Sequence, residues 1–209
     1  MPLIIIDKRI FQENNLHISH LIMSFSTSGV VNMPKSSKEQ IIDDENKVIK
    51  ELKKNAKESI DGIGKHCKFS RQKVWRIIKR LENNETIWGY STVVNDDKLG
   101  LKRYILLLKR TSKPASKDKI ELISKREIKK GAKEIDVTVE SSYFVHGSFD
   151  WTMIVTAKDI KQVKQFVNKL YKYFSEGFIE DLQILEIIFP IEINGISNPN
   201  VKEIEGYFA

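Results

Sequence analysis

Cysteine is almost absent from this 209-residue chain, with Cys67 standing alone. A single thiol excludes an internal disulfide framework and any zinc site built on several cysteines, and it suits a reducing compartment. The four histidines are scattered; the nearest pair, His17 and His20, has no carboxylate or thiol companion at ligand spacing. Neither a metal nor a cofactor is therefore expected. Long apolar runs are lacking too: no stretch reaches the roughly 18 residues that a membrane-spanning helix needs. The opening MPLIIIDKRIF has no basic leader, long apolar region or small-residue cleavage site, so the chain reads as cytoplasmic. Also missing are a glycine-rich phosphate loop, a nucleophile elbow and a paired carboxylate and histidine constellation, which argues against an enzyme.

What is present is an ordinary globular composition, 41% hydrophobic and 30% charged, in a length that suits one or two domains with a sizeable core. The net charge is +7. It is spread thinly: residues 1–42 carry 4 cations and 3 anions, residues 43–100 carry 13 and 10, and residues 101–209 carry 18 and 15. One stretch departs from this balance. Between Lys65 and Leu81 there are seven cations (Lys65, Lys68, Arg71, Lys73, Arg76, Lys79, Arg80) and no acid.

Helical spacing organises that stretch. Val74, Ile77, Ile78 and Leu81 fall at i, i+3, i+4 and i+7, one apolar stripe for a core, and Ser70 is placed to cap the helix. Gln72, Arg76 and Lys79 then point away from the stripe, flanked by Lys73 and Arg80. A solvated charged helix is the plain reading of such a face, and Trp75 on its flank reads as a packing residue. The neighbouring segments favour another reading. Asp43 and Asp44 can cap a helix whose apolar face is Val48, Ile49 and Leu52, and Ser59 can start a short one carrying Ile60, Ile63 and Cys67. Thr86 to Val94, branched and aromatic around Gly89, suggests a two-stranded wing. Helix, helix, short turn, helix, wing is the order of a winged helix-turn-helix.

These residues resemble the leucine-responsive and asparagine-synthetase regulator (Lrp/AsnC) family of prokaryotic and archaeal transcription factors. The family's recognition-helix pattern is met by Ser70, Val74, Ile78, Arg80, Leu81 and Glu82. Its following motifs are met by Ile87, Gly89 and Tyr90, then by Asp96 or Asp97 with Lys98, Leu99 and Gly100. The match covers residues 43–100. Ile77 stands where the family is usually basic, Lys68 where it has a turn glycine, and Glu85 where a glycine opens the wing, so that Asn84 or another residue must take up any left-handed conformation there. Gly62 and Gly64 each weaken a helix by about 1 kcal/mol relative to alanine. IDGIGK also permits a helix-hairpin-helix reading, in which backbone N–H groups face phosphate, although the capped cationic helix starts late for that motif.

The remainder of the chain supports the resemblance independently. Arg103 to Thr111 reads as a strand, residues 117–130 as a lysine-rich helix, Ile135 to His146 and Trp151 to Ala157 as strands, Ile160 to Phe174 as a helix and Leu182 to Phe189 as a last strand. That order is βαββαβ, a ferredoxin-like arrangement. The expected class is α+β: an extension or arm over residues 1–42, a winged helix-turn-helix over 43–94, a linker over 95–102, a ferredoxin-like effector and oligomerisation domain over 103–190, and a tail over 191–209. The resemblance implies sheets paired across a homodimer or higher assembly, and an amino-acid effector near the turn Gly147, Ser148, Phe149 and Asp150. An aspartate that merely holds its hairpin is the plain alternative for that turn.

The function expected from these parts is sequence-specific binding of double-stranded DNA. Gln72 and Arg76 are candidates for base edges, since Gln pairs with adenine and Arg with guanine. Lys65, Lys68, Ser70, Arg71, Lys73, Lys79 and Arg80 are candidates for the phosphate side of the contact. The same two-domain order resembles siroheme decarboxylases, whose comparable stretch here holds Tyr143 and His146 without the expected arginine. At the amino end, LIIIDKRIF and HLIMSFSTSGVV could form a hairpin or arm, and Met33 is an alternative start.

Overall fold

The computed structural model describes residues 37–174 and 177–208; the expected hairpin or arm at the amino end lies outside them. The chain divides into two units, residues 1–44 and residues 45–209. In the first, α1 (Lys38–Lys54) begins. Its cap is Ser37, whose Oγ accepts from Gln40 N at 3.2 Å. Asp43 and Asp44 are therefore not the caps anticipated above but lie inside the helix. A Ser followed three residues later by Gln is itself a start signal, and it precedes the aspartates by two turns. Asp44 is buried and accepts from Gln40 Nε2 at 3.0 Å.

In the second unit α1 continues, followed by α2 (Ile60–Cys67) and α3 (Arg71–Asn83). Both helices are capped where the sequence indicated: Ser59 Oγ accepts from Gly62 N at 2.9 Å, and Ser70 Oγ accepts from Lys73 N at 3.2 Å. Val48, Ile63, Val74, Ile77 and Leu81 form a buried core, with Ile49, Leu52, Ile60 and Cys67 against it. Residues 60–67 are one continuous helix, so the helix-hairpin-helix reading does not hold. Gly64 has a packing reason instead: a Cβ there would lie 2.8 Å from the Phe69 carbonyl oxygen. The turn between α2 and α3 passes that close because Lys68 adopts φ 58°, ψ 43°. Glu85 adopts φ 60°, so the left-handed residue after α3 is Glu85 itself rather than Asn84, which stays at φ −93°.

Among the described residues no strand forms between residues 84 and 101, so the expected two-stranded wing is not seen among them. An isolated pair of strands is marginal without a covered face. Here Ile87 packs on the helical core while Trp88 is 95% exposed and Tyr90 half exposed.

The sheet holds β1 (Lys102–Arg110), β2 (Thr138–Phe144), β3 (Trp151–Ala157) and β4 (Ile179–Ile187), antiparallel in the order β2-β3-β1-β4. This is the ferredoxin-like order. Tyr104, Leu106 and Leu108 of β1 and Trp151, Met153 and Val155 of β3 alternate onto one face. There they meet α6 (Ile160–Tyr173) through Val163, Phe166 and Leu170. The lysine-rich helix expected over 117–130 is two helices, α4 (Lys117–Ser124) and α5 (Glu127–Lys133), broken at Arg126 with φ 58°. Five residues separate Ile123 from Ile128, which no straight helix places on one face. The break carries Ile128 and Ala132 into the core. Beyond β4 the tail forms β5 (Glu192–Ile193) and β6 (Ile196–Ser197) about Asn194 and Gly195, both at positive φ. A 3₁₀ stretch, Val201–Tyr207, follows.

Candidate nucleic-acid interface

Burial of Val74, Ile77 and Leu81 fixes which side of α3 faces outward. Gln72, Arg76 and Lys79 are exposed there, with Arg71 and Arg80 at the flanks. The structure divides these cations by their partners. Arg71 bonds Asp61, Lys79 bonds Glu82 at 2.8 Å, and Arg80 Nε bonds Glu45 at 2.6 Å. Lys73 lies 3.9 Å from the Phe69 ring centre. Gln72 and Arg76 have no side-chain hydrogen bond or ion pair among the described residues. Neither do Lys65 and Lys68, both exposed at the α2 end of the turn.

Several of these pairs are structural ties. Arg80 reaches a Glu45 carboxylate that is only 18% exposed, so it joins α3 to α1. The hydrogen bond from Lys79, then the one from Tyr90 Oη at 3.1 Å, holds the Glu82 carboxyl below its usual range. Burial first, and Glu82 second, push the Tyr90 phenol up. Glu82 thereby fastens the segment after α3 to the helix. Hydrogen bonds from Lys54 and then His66 similarly lower Glu51, which ties α1 to α2.

Trp75 is 51% exposed, on the flank of the outward face and not the packing residue anticipated. Residues 82–97, the end of α3 and the segment after it, contain no lysine or arginine but have Glu82, Glu85, Asp96 and Asp97. That composition, readable in the sequence, leaves positive charge to α3 and the turn before it.

On the sheet, the turn 147–150 is held tightly. Gly147 has φ 148°. Val145 N donates to Asp150 O at 2.9 Å, and Asp150 Oδ2 accepts from Arg110 N at 2.7 Å. The Arg110 guanidinium lies 3.6 Å from the other carboxylate oxygen. Asp150 thus ties the hairpin to the end of β1. Ser148 is exposed and Phe149 half buried.

Residues 45–87, which include all of α2 and α3, match the family model described as winged helix-turn-helix DNA-binding. Among solved structures, LrpC of B. subtilis is similar at 20% identity, with a TM-score of 0.52 and coverage of 77% of this chain and 99% of that one. An AsnC family transcriptional regulator from Agrobacterium tumefaciens gives 18%, 0.54, 72% and 92% in the same order. The chain has the Lrp/AsnC fold. A transcriptional regulator from Neisseria meningitidis, solved as a complex with L-Met, shares that fold at 16% identity and a TM-score of 0.55, over 79% of this chain and 98% of its own. No curated protein sequence matches significantly. The Lrp/AsnC fold accounts for the order of the elements from α1 to β4. Among the described residues, no helix is long and apolar enough to cross a membrane.

Proposed function

We propose that this chain is a sequence-reading, DNA-binding transcriptional regulator rather than an enzyme. The observation that carries this reading is the outward face of α3, where Gln72 and Arg76 stand exposed, and unpaired among the described residues, beside a core that fixes their direction. With α3 in the major groove, Arg76 reads guanine and Gln72 adenine. Lys65, Lys68 and Lys73 meet phosphates with Ser70 at the helix start. Arg71, Lys79 and Arg80 join them only by exchanging a carboxylate for a phosphate.

The working unit is a dimer. On the sheet face opposite the core, Ile105, Leu107 and Ile154 are half buried and Leu185 is 46% exposed, an apolar surface suited to a second copy. Two α3 helices then read half-sites about 34 Å apart, or a multiple of that spacing. An amino acid bound near Gly147, Ser148, Phe149 and Asp150 is the proposed effector, encouraged by the L-Met complex of the Neisseria protein. The decarboxylase reading is weaker: Tyr143 and His146 are exposed on β2 and the loop after it and do not line the cleft between residues 93–103 and 186–207.

Duplex titrations between low and moderate salt test the proposal. Affinity falls with salt by a logarithmic slope of about −0.9 for each phosphate neutralised. Absence of duplex binding, or binding indifferent to salt, contradicts it. Sedimentation of the full chain tests the dimer.

A further inference from the structure

The tail folds back at the end of β4 and forms one wall of a cleft. Tyr207 Oη donates to Ile188 O at 3.1 Å, Asn198 Nδ2 donates to Pro190 O at 2.8 Å, and the Phe189 and Tyr207 ring centres are 5.6 Å apart. The tail is thereby folded back against the end of β4. Facing it is the segment from Val93 to Arg103, and the two enclose a cavity of about 740 Å³. That volume is ordinary for a site that surrounds a small organic molecule.

Its lining has a definite chemistry. Val93, Leu101, Ile187, Phe189, Ile193 and Pro199 supply apolar wall. The charged lining is five carboxylates against three cations. Two of those cations are already committed. Arg103 bonds Asp96 through Nε at 2.7 Å and Nη2 at 3.3 Å, and Lys102 bonds Glu186 at 2.6 Å. Asp97, Glu192 and Glu203 have no side-chain hydrogen bond or ion pair among the described residues, and the one cation in the same condition is Lys98. The cleft therefore combines an apolar body with an excess of carboxylates over cations, which attracts a cation and repels an anion of the same shape.

We propose that this cleft binds a small organic cation, an ammonium group on an aliphatic or aromatic body. The body covers the apolar wall, and the ammonium faces the carboxylates of Asp97, Glu192 and Glu203. No residue of this site belongs to the outward face of α3 or to the turn at 147–150, so the proposal stands or falls independently of the DNA reading.

Three probes of one skeleton test it by calorimetry and by amide NMR shifts on the full-length protein: 3-phenylpropylamine, 3-phenylpropanol and 3-phenylpropionate. The expected order is amine, alcohol, acid, with the amine about three- to tenfold tighter than the alcohol, as a few partly exposed ion pairs allow. Shifts should fall on residues 93–103 and 187–207. The double substitution Asp97→Asn and Glu203→Gln, at exposed positions that folding tolerates, should erase the preference while leaving alcohol binding in place. Ser197→Trp should fill the cleft and weaken all three, with circular dichroism confirming the fold. Absence of binding by every probe, an equal or reversed order, shifts that map elsewhere, or an amine preference surviving the double substitution each overturns the proposal.

Discussion

Replacing Arg76 by alanine separates recognition from stability more cleanly than any other substitution on α3. The side chain is exposed and unpaired among the described residues, and alanine is a stronger helix former. Unfolding free energy should therefore change by less than about 0.5 kcal/mol. On a preferred duplex the loss of a bidentate arginine–guanine contact costs about 1–3 kcal/mol, a roughly 5- to 150-fold weaker complex. On a scrambled duplex the loss should be several-fold smaller. Lys79→Ala supplies the contrast: its ammonium pairs with Glu82 at 2.8 Å, so its removal takes one positive charge from the face and weakens both duplexes alike. Anisotropy titrations of both variants on both duplexes at one salt concentration make the comparison. Equal losses on preferred and scrambled DNA for both variants would refute the division into base-reading and phosphate-contacting residues.

Other substitutions test the scaffold. Gly64→Ala forces a methyl to 2.8 Å from the Phe69 carbonyl oxygen and should cost about 1–3 kcal/mol in denaturant unfolding; unchanged stability would show that the turn is looser than described. Ser70→Ala removes the cap of α3 at a cost of about 1 kcal/mol, visible as an earlier thermal transition. Asp150→Ala strips Arg110 N of its acceptor and should destabilise the sheet by about 1–3 kcal/mol even without any effector, whereas an aspartate serving only a ligand would leave the melting point in place. Glu82 has a lowered folded pKa, so its stabilising bonds are intact above the ordinary value of 4.5 and fade as pH falls through the lowered one. Acidification below that range should release Tyr90, followed by its ultraviolet difference spectrum, and Glu82→Gln should remove the acid step.

Much of the fold was legible because its signals are local. The apolar spacing of Val74, Ile77 and Leu81, the caps at Ser59 and Ser70, and the alternation along Trp151–Ala157 each act within a few residues. The misreadings arose where longer-range packing decides. The left-handed Arg126 appears only once Ile128 must reach the sheet core, and Gly64 makes sense only once Phe69 folds back over it. The wing reads as strand because Ile87, Trp88 and Tyr90 favour extended backbone, yet pairing needs a neighbouring strand, and the described residues supply none there. At the candidate interface the outward direction of Gln72 and Arg76 followed from periodicity. The neutralisation of Arg80 by Glu45 could not, because the partner is 35 positions away. The tail hairpin did carry a signal, Asn194–Gly195, the dipeptide that favours a tight two-residue turn.

The most direct measurement is selection of genomic fragments by the full-length protein, repeated with and without added amino acids, followed by sequencing of what is retained. A regulator that reads bases with Gln72 and Arg76 on two copies should enrich one pseudo-palindromic motif, and Arg76→Ala should relax it at the guanine positions. Retention of fragments with no common motif, or of none at all, would contradict the account.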